Sequence, residues 1–377
     1  MSEWKEYKLD EIADIYNNKR IPLSSIVRSK RQGKYPYYGA SGIVDYIDDY
    51  IFDGDYILIS EDGENLRSRK TPIAFRAQGK FWVNNHAHII QGKDKFLNNW
   101  ISYFFKNLNV SPYLTGAVQP KLNKENLLRI PIPIPDFESA SIITEILSSL
   151  DDKIELNNNI NKELEKLAQT LFKQWFIDFE FPDEKGEPYQ SSGGEMVESE
   201  QGMIPKDWEI VTLNKLLTVK YGKDHKHLAD GNVPLYGSGG IMRFVEKPLY
   251  SKESILIPRK GTLSNLFYLS EPFWSVDTMF YTEIHNASFG KYLFFVIKSL
   301  NLAAMNVGSA VPSMTTKVLN GIKVLKPIDF VMLQFDEIAS SIFEKMKHNT
   351  KENEELSNLR DTLLPKLISG ELNVKDL

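Results

Sequence analysis

Two histidine pairs, His86-Ala-His88 and His225-Lys-His227, are the first residues whose types and spacing could do chemistry, because paired imidazoles can ligate a metal. The chain repeats internally, however, and His86 and His88 correspond to Thr278 and Phe280 in the second copy. The repeated unit therefore does not need them, and packing on a strand face or contact with a base is the simpler role. Asp136 followed by Asp151-Asp152-Lys153 resembles the carboxylates of a nuclease. Asp151 and Lys153 fall in a helical pattern, where side chains two apart face away from each other. No GxxxxGK[ST] phosphate loop, GxSxG elbow or NPPY- or DPPY-like run occurs, so nucleotide hydrolysis, serine hydrolysis and methyl transfer from SAM all lack their motifs. With no cysteine, disulfides, zinc fingers and thiol catalysis are excluded together. The expectation is a chain with no catalytic residue, metal or cofactor of its own.

Basic side chains in loops remain. Lys19, Arg20, Arg28, Lys30, Arg31, Arg67, Arg69 and Lys70 in the first half, with Lys220, Lys223, Lys226, Arg243, Arg259 and Lys260 in the second, suit contact with DNA. Lysine and arginine hold phosphates, and arginine also reads base edges. The formal net charge of -5 argues against a nonspecific polyanion binder, so distribution matters more than the sum. Residues 17–34 carry bases and no acid, whereas residues 45–64 carry acids and no base. Two surfaces of opposite sign are expected, one for nucleic acid and one for a protein partner, the alternative being solvated loops.

The elements that must position these residues come in two copies. Trp4-Lys-Glu-Tyr-Lys-Leu9 recurs as Trp208-Glu-Ile-Val-Thr-Leu213, and Tyr38-Gly-Ala-Ser-Gly-Ile43 as Tyr236-Gly-Ser-Gly-Gly-Ile241. Gly116 with Pro120 answers Gly308 with Pro312. Each copy predicts a mixed α and β module. In the first, a short helix spans Leu9 to Tyr16, with strands at Ile43–Ile47, Tyr56–Ile59, Ile73–Arg76 and Phe81–Val83 and a helix at Leu97–Leu108. Ile130 to Pro135 is too rich in proline for a central strand and predicts an extended edge.

Each module leads into a long helical pattern, Glu145 to Phe176 and Glu337 to Leu372, at a constant offset of 192 positions. Leu147, Leu150, Ile154, Leu164 and Leu171 step by threes and fours along the first, and Leu356 and Leu363 lie on the second. Asn157 and Asn161 interrupt the first seam where Asn349 and Asn353 interrupt the other. Antiparallel pairing would set Asn157 against Asn353 and Asn161 against Asn349 and fix the register; parallel pairing aligns them less well. The competing arrangement is two amphipathic helices packed separately on local cores. The fold class is thus α+β, two similar modules joined by two long helices as an antiparallel coiled coil. Its expected division is 1–136 first module, 137–180 first long helix, 181–203 an acidic linker with little to bury, 204–328 second module and 329–377 second long helix. No apolar run reaches ~20 residues, and the polar start MSEWKEYKLDEI argues against a signal peptide, which points to the cytoplasm.

The module openings WKEYKLDEIADI and GMIPKDWEIVTL, the YGASG and YGSGG turns, GAVQPKL and GSAVPSM, and the helix ends LFKQWFIDFEF and LLPKLISGEL resemble the specificity subunit of type I restriction-modification enzymes over residues 4–372. That resemblance implies two target-recognition domains, each reading one half of a split sequence in double-stranded DNA, held by two conserved helices. It also implies two modification subunits that methylate adenine, and motor-nuclease subunits, as partners. SAM, and ATP with magnesium, would then sit on those partners. The first module is richer in acid than the second, so the halves need not contact DNA equally. From Leu147 to Trp175 the helix would run about 42 Å at ~1.5 Å per residue, enough to set half-sites about one duplex turn apart. The alternative class is a non-catalytic scaffold of tandem modules binding proteins or glycans.

Overall fold

The computed structural model describes residues 4–116, 118–302, 304–305 and 313–374. Gly308 and Pro312, and part of the GAVQPKL and GSAVPSM motifs, lie outside these. The chain divides into two compact units, Met1–Asn157 with Thr350–Leu377, and Asn158–Asn349.

In the first unit, β1 (Lys5–Tyr7) leads through α1 (Leu9–Ile12) to β2 (Ala13–Ile15), α2 (Ser25–Lys30) and the hairpin β3 (Gln32–Gly39) with β4 (Gly42–Ile47). Then come β5 (Phe52–Ser60), α3 (Asn65–Ser68), β6 (Ala74–Val83), β7 (Ala87–Gly92), α4 (Lys95–Asn107), α5 (Lys124–Leu128), β8 (Ile132–Ile134) and the helix α6 (Phe137–Phe176). Six strands form one sheet in the order β2-β7-β5-β6-β3-β4, in which only β3 and β6 run parallel. Central β5 carries the continuous apolar run Tyr56–Ile59 because both its faces are covered. Ile57 and Ile59 pack with Trp100, Ile101 and Phe105 of α4, while Leu58 packs with Phe52, Phe81 and Ile89. Asp94 caps α4 by accepting from Lys95 N at 2.7 Å, and Trp100 Nε1 donates to Pro133 O at 3.2 Å, tying the helix to the β1–β8 pair.

Two expectations change here. The helix foreseen over Leu9–Tyr16 lasts one turn, since Ala13–Ile15 instead pairs with Ile90–Gly92, and sheet pairing outweighs local propensity. The strands foreseen at Ile73–Arg76 and Phe81–Val83 are one strand, β6. It passes through Gly79, at φ +72°, opposite Gly54 at φ +146°, a backbone that side chains rarely tolerate.

In the second unit, β9 (Met196–Ser199) and β10 (Gly202–Pro205) form a hairpin, followed by β11 (Glu209–Thr212) and β12 (Leu217–Tyr221). The strands β13 (Asp230–Gly237), β14 (Gly240–Val245), β15 (Ser254–Pro258), β16 (Phe267–Leu269), β17 (Trp274–Ser275) and β18 (Met279–Ile284) follow. After α7 (Gly290–Ser299) and α8 (Thr316–Gly321), β19 (Lys323–Lys326) pairs with β11 and leads into α9 (Asp329–Ile368). The hairpin β13–β14 repeats β3–β4 at an offset of 198 residue for residue, from Val233 opposite Val245 (Tyr35 opposite Ile47) to Gly237 opposite Gly240 (Gly39 opposite Gly42). Strand β17 then lies parallel to β13 as β6 does to β3. The stretch expected to be a linker is ordered, because its aromatics find partners. Phe181 is buried, with ring centroids 4.6 Å from Tyr189 and 5.0 Å from Trp208.

Within each unit the long helices run antiparallel. In the first, Arg360 Nη1 donates to Asp151 at 2.5 Å and Asn157 Nδ2 to Asn353 Oδ1 at 2.9 Å, so partners descend one helix as they ascend the other. Asn157 also donates to Glu352 Oε2 at 2.8 Å; Leu147 and Leu363 share the apolar core, and Leu150, Ile154 and Leu356 are half-buried. In the second, Asn349 Nδ2 donates to Asn161 Oδ1 at 2.8 Å, and the rings of Trp175 and Phe335 lie 5.9 Å apart. Leu164 and Leu171 pack against the core that holds Ala339 and Ile342.

Candidate nucleic-acid interface

The two surfaces of opposite sign expected in the first module form only in part. Hairpin β3–β4 folds the acidic stretch back beside α2, and Arg20, Arg28 and Arg31 each find a carboxylate, whereas Lys19, Lys30 and Lys34 stay exposed. Arg28 Nε meets Asp45 Oδ2 at 3.0 Å with its guanidinium over the Tyr37 ring, and Arg31 meets Asp48 at 2.8 Å while lying over Trp82. Arg20 Nη1 donates to Glu61 Oε2 at 2.5 Å and to Ala87 O at 3.0 Å. Burial works to raise the Glu61 carboxyl, yet the Arg20 bond, His88 and Lys121 hold it below the usual carboxylate range.

Other arginines are also committed to internal partners. Arg69 donates to Leu108 O at 2.7 Å and Lys106 O at 2.6 Å, satisfying carbonyls at the end of α4. Arg67 donates to Gly116 O at 3.1 Å. In the second module Arg243 binds Asp230 at 2.9 Å and the carbonyls of His225 and Leu228. Arg243 stands at the register position that Asp45 fills in the first hairpin, and its partner Asp230 at that of Gln32, which donates to Asp45 at 3.1 Å, so one position carries opposite charge in the two hairpins. Lys220 pairs loosely with Glu283 at 3.6 Å. Lys19, which lies over Tyr16, and Lys30, Lys70, Lys223, Lys226 and Lys260 are exposed and have no acidic partner among the described residues.

The sequence reading missed a matched pair of loop positions. Glu61 N donates to His86 O at 2.9 Å, and Leu122 N to Glu61 O at 2.8 Å. In the second unit Arg259 N donates to Thr278 O at 2.9 Å, and Met314 N to Arg259 O at 2.9 Å. The same backbone frame thus presents Glu61-Asp62 in one module and Arg259-Lys260 in the other. Offset 198 contained the signal, but only the hydrogen bonds establish the equivalence.

Buried polar clusters also escaped the sequence reading. Asp151 accepts from the Tyr103 hydroxyl at 2.7 Å and lies 3.5 Å from Lys106, and with Arg360 these partners overcome burial and hold its carboxyl low. In the second unit Lys291, 5% exposed, bridges Asp336 at 3.0 Å and Glu253 at 3.5 Å; burial pushes the Asp336 carboxyl up. Asp136 accepts from Ser139 N at 2.8 Å and so caps α6 rather than serving a nuclease.

No group of three or more His, Asp or Glu able to hold an ion occurs among the described residues. His88 is buried, 2.8 Å from the Asn17 amide and 2.7 Å from Leu122 O, and burial pulls its pKa down. His86 is paired with Asp62 at 2.9 Å. His225 and His227 lie in the loop that Arg243 holds through the carbonyls of His225 and Leu228. No helix among the described residues is long and apolar enough to cross a membrane.

Two modules of one build, with different side chains on matched frames, agree with comparison to known proteins. The family described as type I restriction modification DNA specificity domain matches residues 1–166 and again residues 205–358. The chain belongs to this family. It is a specificity subunit with two recognition domains, the DNA-recognition component of a restriction-modification system and not a catalytic one, which displaces the scaffold alternative. A putative type I restriction enzyme specificity subunit of Haemophilus influenzae is 44% identical over 149 residues, 40% of this chain and 36% of that protein. The type I restriction enzyme MjaIX specificity subunit of Methanocaldococcus jannaschii is 26% identical over 419 residues, covering 100% of this chain and 95% of the relative. The crystal structure of a type I restriction-modification S subunit from M. genitalium shares the fold with a TM-score of 0.63 at 21% identity, covering 97% of this chain and 96% of that one.

Proposed function

We propose that each recognition domain, 1–136 and 204–328, reads one half of a bipartite target in double-stranded DNA, while α6 and α9 set the spacer and dock two modification subunits. The observation that carries this reading is the identical register of β3–β4 and β13–β14, a common frame whose surrounding side chains differ in charge. One frame with two chemistries suits two readers of different sequences. Lys19, Lys30, Lys70, Lys223, Lys226 and Lys260 hold phosphates, and Arg20, Arg28, Arg67, Arg69 and Arg243 keep the loops in shape. SAM is bound by the modification subunits, and ATP with magnesium by motor-nuclease subunits where these join, in the cytoplasm.

Mapping methylated adenines in cells that carry or lack the chain tests the reading. A bipartite motif that disappears with the chain supports it, and exchanging Met1 to Pro135 for another such domain changes one half of that motif. Inserting four residues into α6 and α9 shifts the spacer. Loss of both halves on domain exchange, or an unchanged spacer on insertion, counts against the respective assignment.

A further inference from the structure

The matched loop after β5 and β15 carries opposite charge in the two modules, Glu61-Asp62 in the first and Arg259-Lys260 in the second. In both, this loop is tied to the tip of the neighbouring hairpin: Ser60 Oγ donates to Ala40 O at 2.5 Å, and Asn265 Nδ2 to Ser238 O at 2.6 Å. Hairpin tip and loop therefore meet in both modules, tied by a different side chain in each, Ser60 in the first and Asn265 in the second.

A residue that only gripped phosphate would serve both modules equally, because phosphates are the same along every sequence. A residue that reads a base must differ between modules that read different half-sites. In this loop the first module places Glu61, spent on Arg20 and on Lys121 at 3.2 Å, and the second places a cation pair. Arg259 Nη1 donates to Asp277 O at 3.0 Å, and its guanidinium lies 5.4 Å from the half-exposed Tyr221 ring. Among the described residues its Nε and Nη2 have no partner. A fork held from one side in this way offers two N–H groups to a pair of acceptors, which is what O6 and N7 of guanine present in the major groove.

Resting on the DNA-reading function above, we propose that Arg259 is a specificity-determining residue that reads a guanine in the half-site of the second module, with Lys260 on a neighbouring phosphate. The full chain, assembled with its modification subunits, is used to select from a pool of randomised duplexes, as wild type and as Arg259→Ala, Arg259→Lys and Lys260→Ala. Both Arg259 variants lose preference at one G·C position of one half-site, by about 10- to 100-fold, and leave the other half-site unchanged. Arg259→Lys keeps the charge and removes only the fork, so it carries the test if Arg259→Ala fails to fold. Lys260→Ala weakens all sequences alike and lowers the salt slope by about one. If the Arg259 variants keep the wild-type motif, or weaken every sequence uniformly, base reading by Arg259 is wrong although the bipartite function stands. A wild-type complex that selects no bipartite motif would instead remove that function, and this inference with it.

Discussion

Replacing Asn157 by leucine probes what the asparagines do in the helix seam. Asn157 is 1% exposed and donates both to Asn353 Oδ1 at 2.9 Å and to the carboxylate of Glu352 at 2.8 Å. A neutral hydrogen bond of this kind contributes about 1 kcal/mol net and one to a charged acceptor about 1.5–3 kcal/mol. Removing both costs more than the added apolar contact returns, although Glu352 keeps Lys153 at 3.4 Å. We expect Asn157→Leu to lower stability by about 2 kcal/mol, within a range of roughly 1–3 kcal/mol. In Asn157→Leu/Asn353→Leu the apolar pair fills the same layer, and the cost falls by about 1 kcal/mol or more, because removing both partners strands fewer polar groups. Urea unfolding of the full chain, followed by far-ultraviolet circular dichroism for wild type, both single variants and the double variant, closes the cycle. Strictly additive losses, or a single variant as stable as wild type, would refute the argument that the two amides act as a unit.

Acid should act on the first unit through Asp151 and Glu61, whose carboxyls are held below their ordinary range. The folded chain then binds fewer protons than the unfolded one. This stabilisation is complete above the ordinary carboxylate range and lost as pH falls through the depressed values. Asp151→Asn should therefore lower the urea midpoint at neutral pH and flatten its fall in acid, and an unchanged pH profile would contradict the assignment. Lysine and arginine variants should separate by assay. Lys223→Ala with Lys226→Ala weakens DNA binding at every sequence and reduces the salt slope by up to about two, with stability unchanged. Arg28→Ala, which leaves Asp45 without its guanidinium, lowers the unfolding midpoint in urea. A pattern reversed between the two would show that the exposed lysines are structural and Arg28 is the DNA contact.

Much of the architecture was legible in residue order. Glycines and prolines recurring at offsets of 192 and 198, with Trp4 recurring as Trp208 at 204, revealed two modules, and seam residues such as Leu147 and Leu363 revealed two long helices. Both signals are local or periodic, so a linear reading detects them. The extent of β6 was hidden because Gly79 reads as a break, and only its pairing opposite Gly54 shows a strand passing through. The order of Phe181 was hidden because its partners Tyr189 and Trp208 lie beyond a stretch of turn residues.

By itself the amino-acid sequence determined the family, the doubling of the module and the helical periodicity, since these depend on residue types at set spacings. Tertiary structure alone decided which charges remain available to a ligand. Basic residues 17–34 and acidic residues 45–64 look like opposite surfaces in a linear reading, yet the hairpin returns Asp45 to Arg28 and the sheet brings Glu61 to Arg20. Electrostatic energy depends on distance through space, and the chain sets that distance only when it folds.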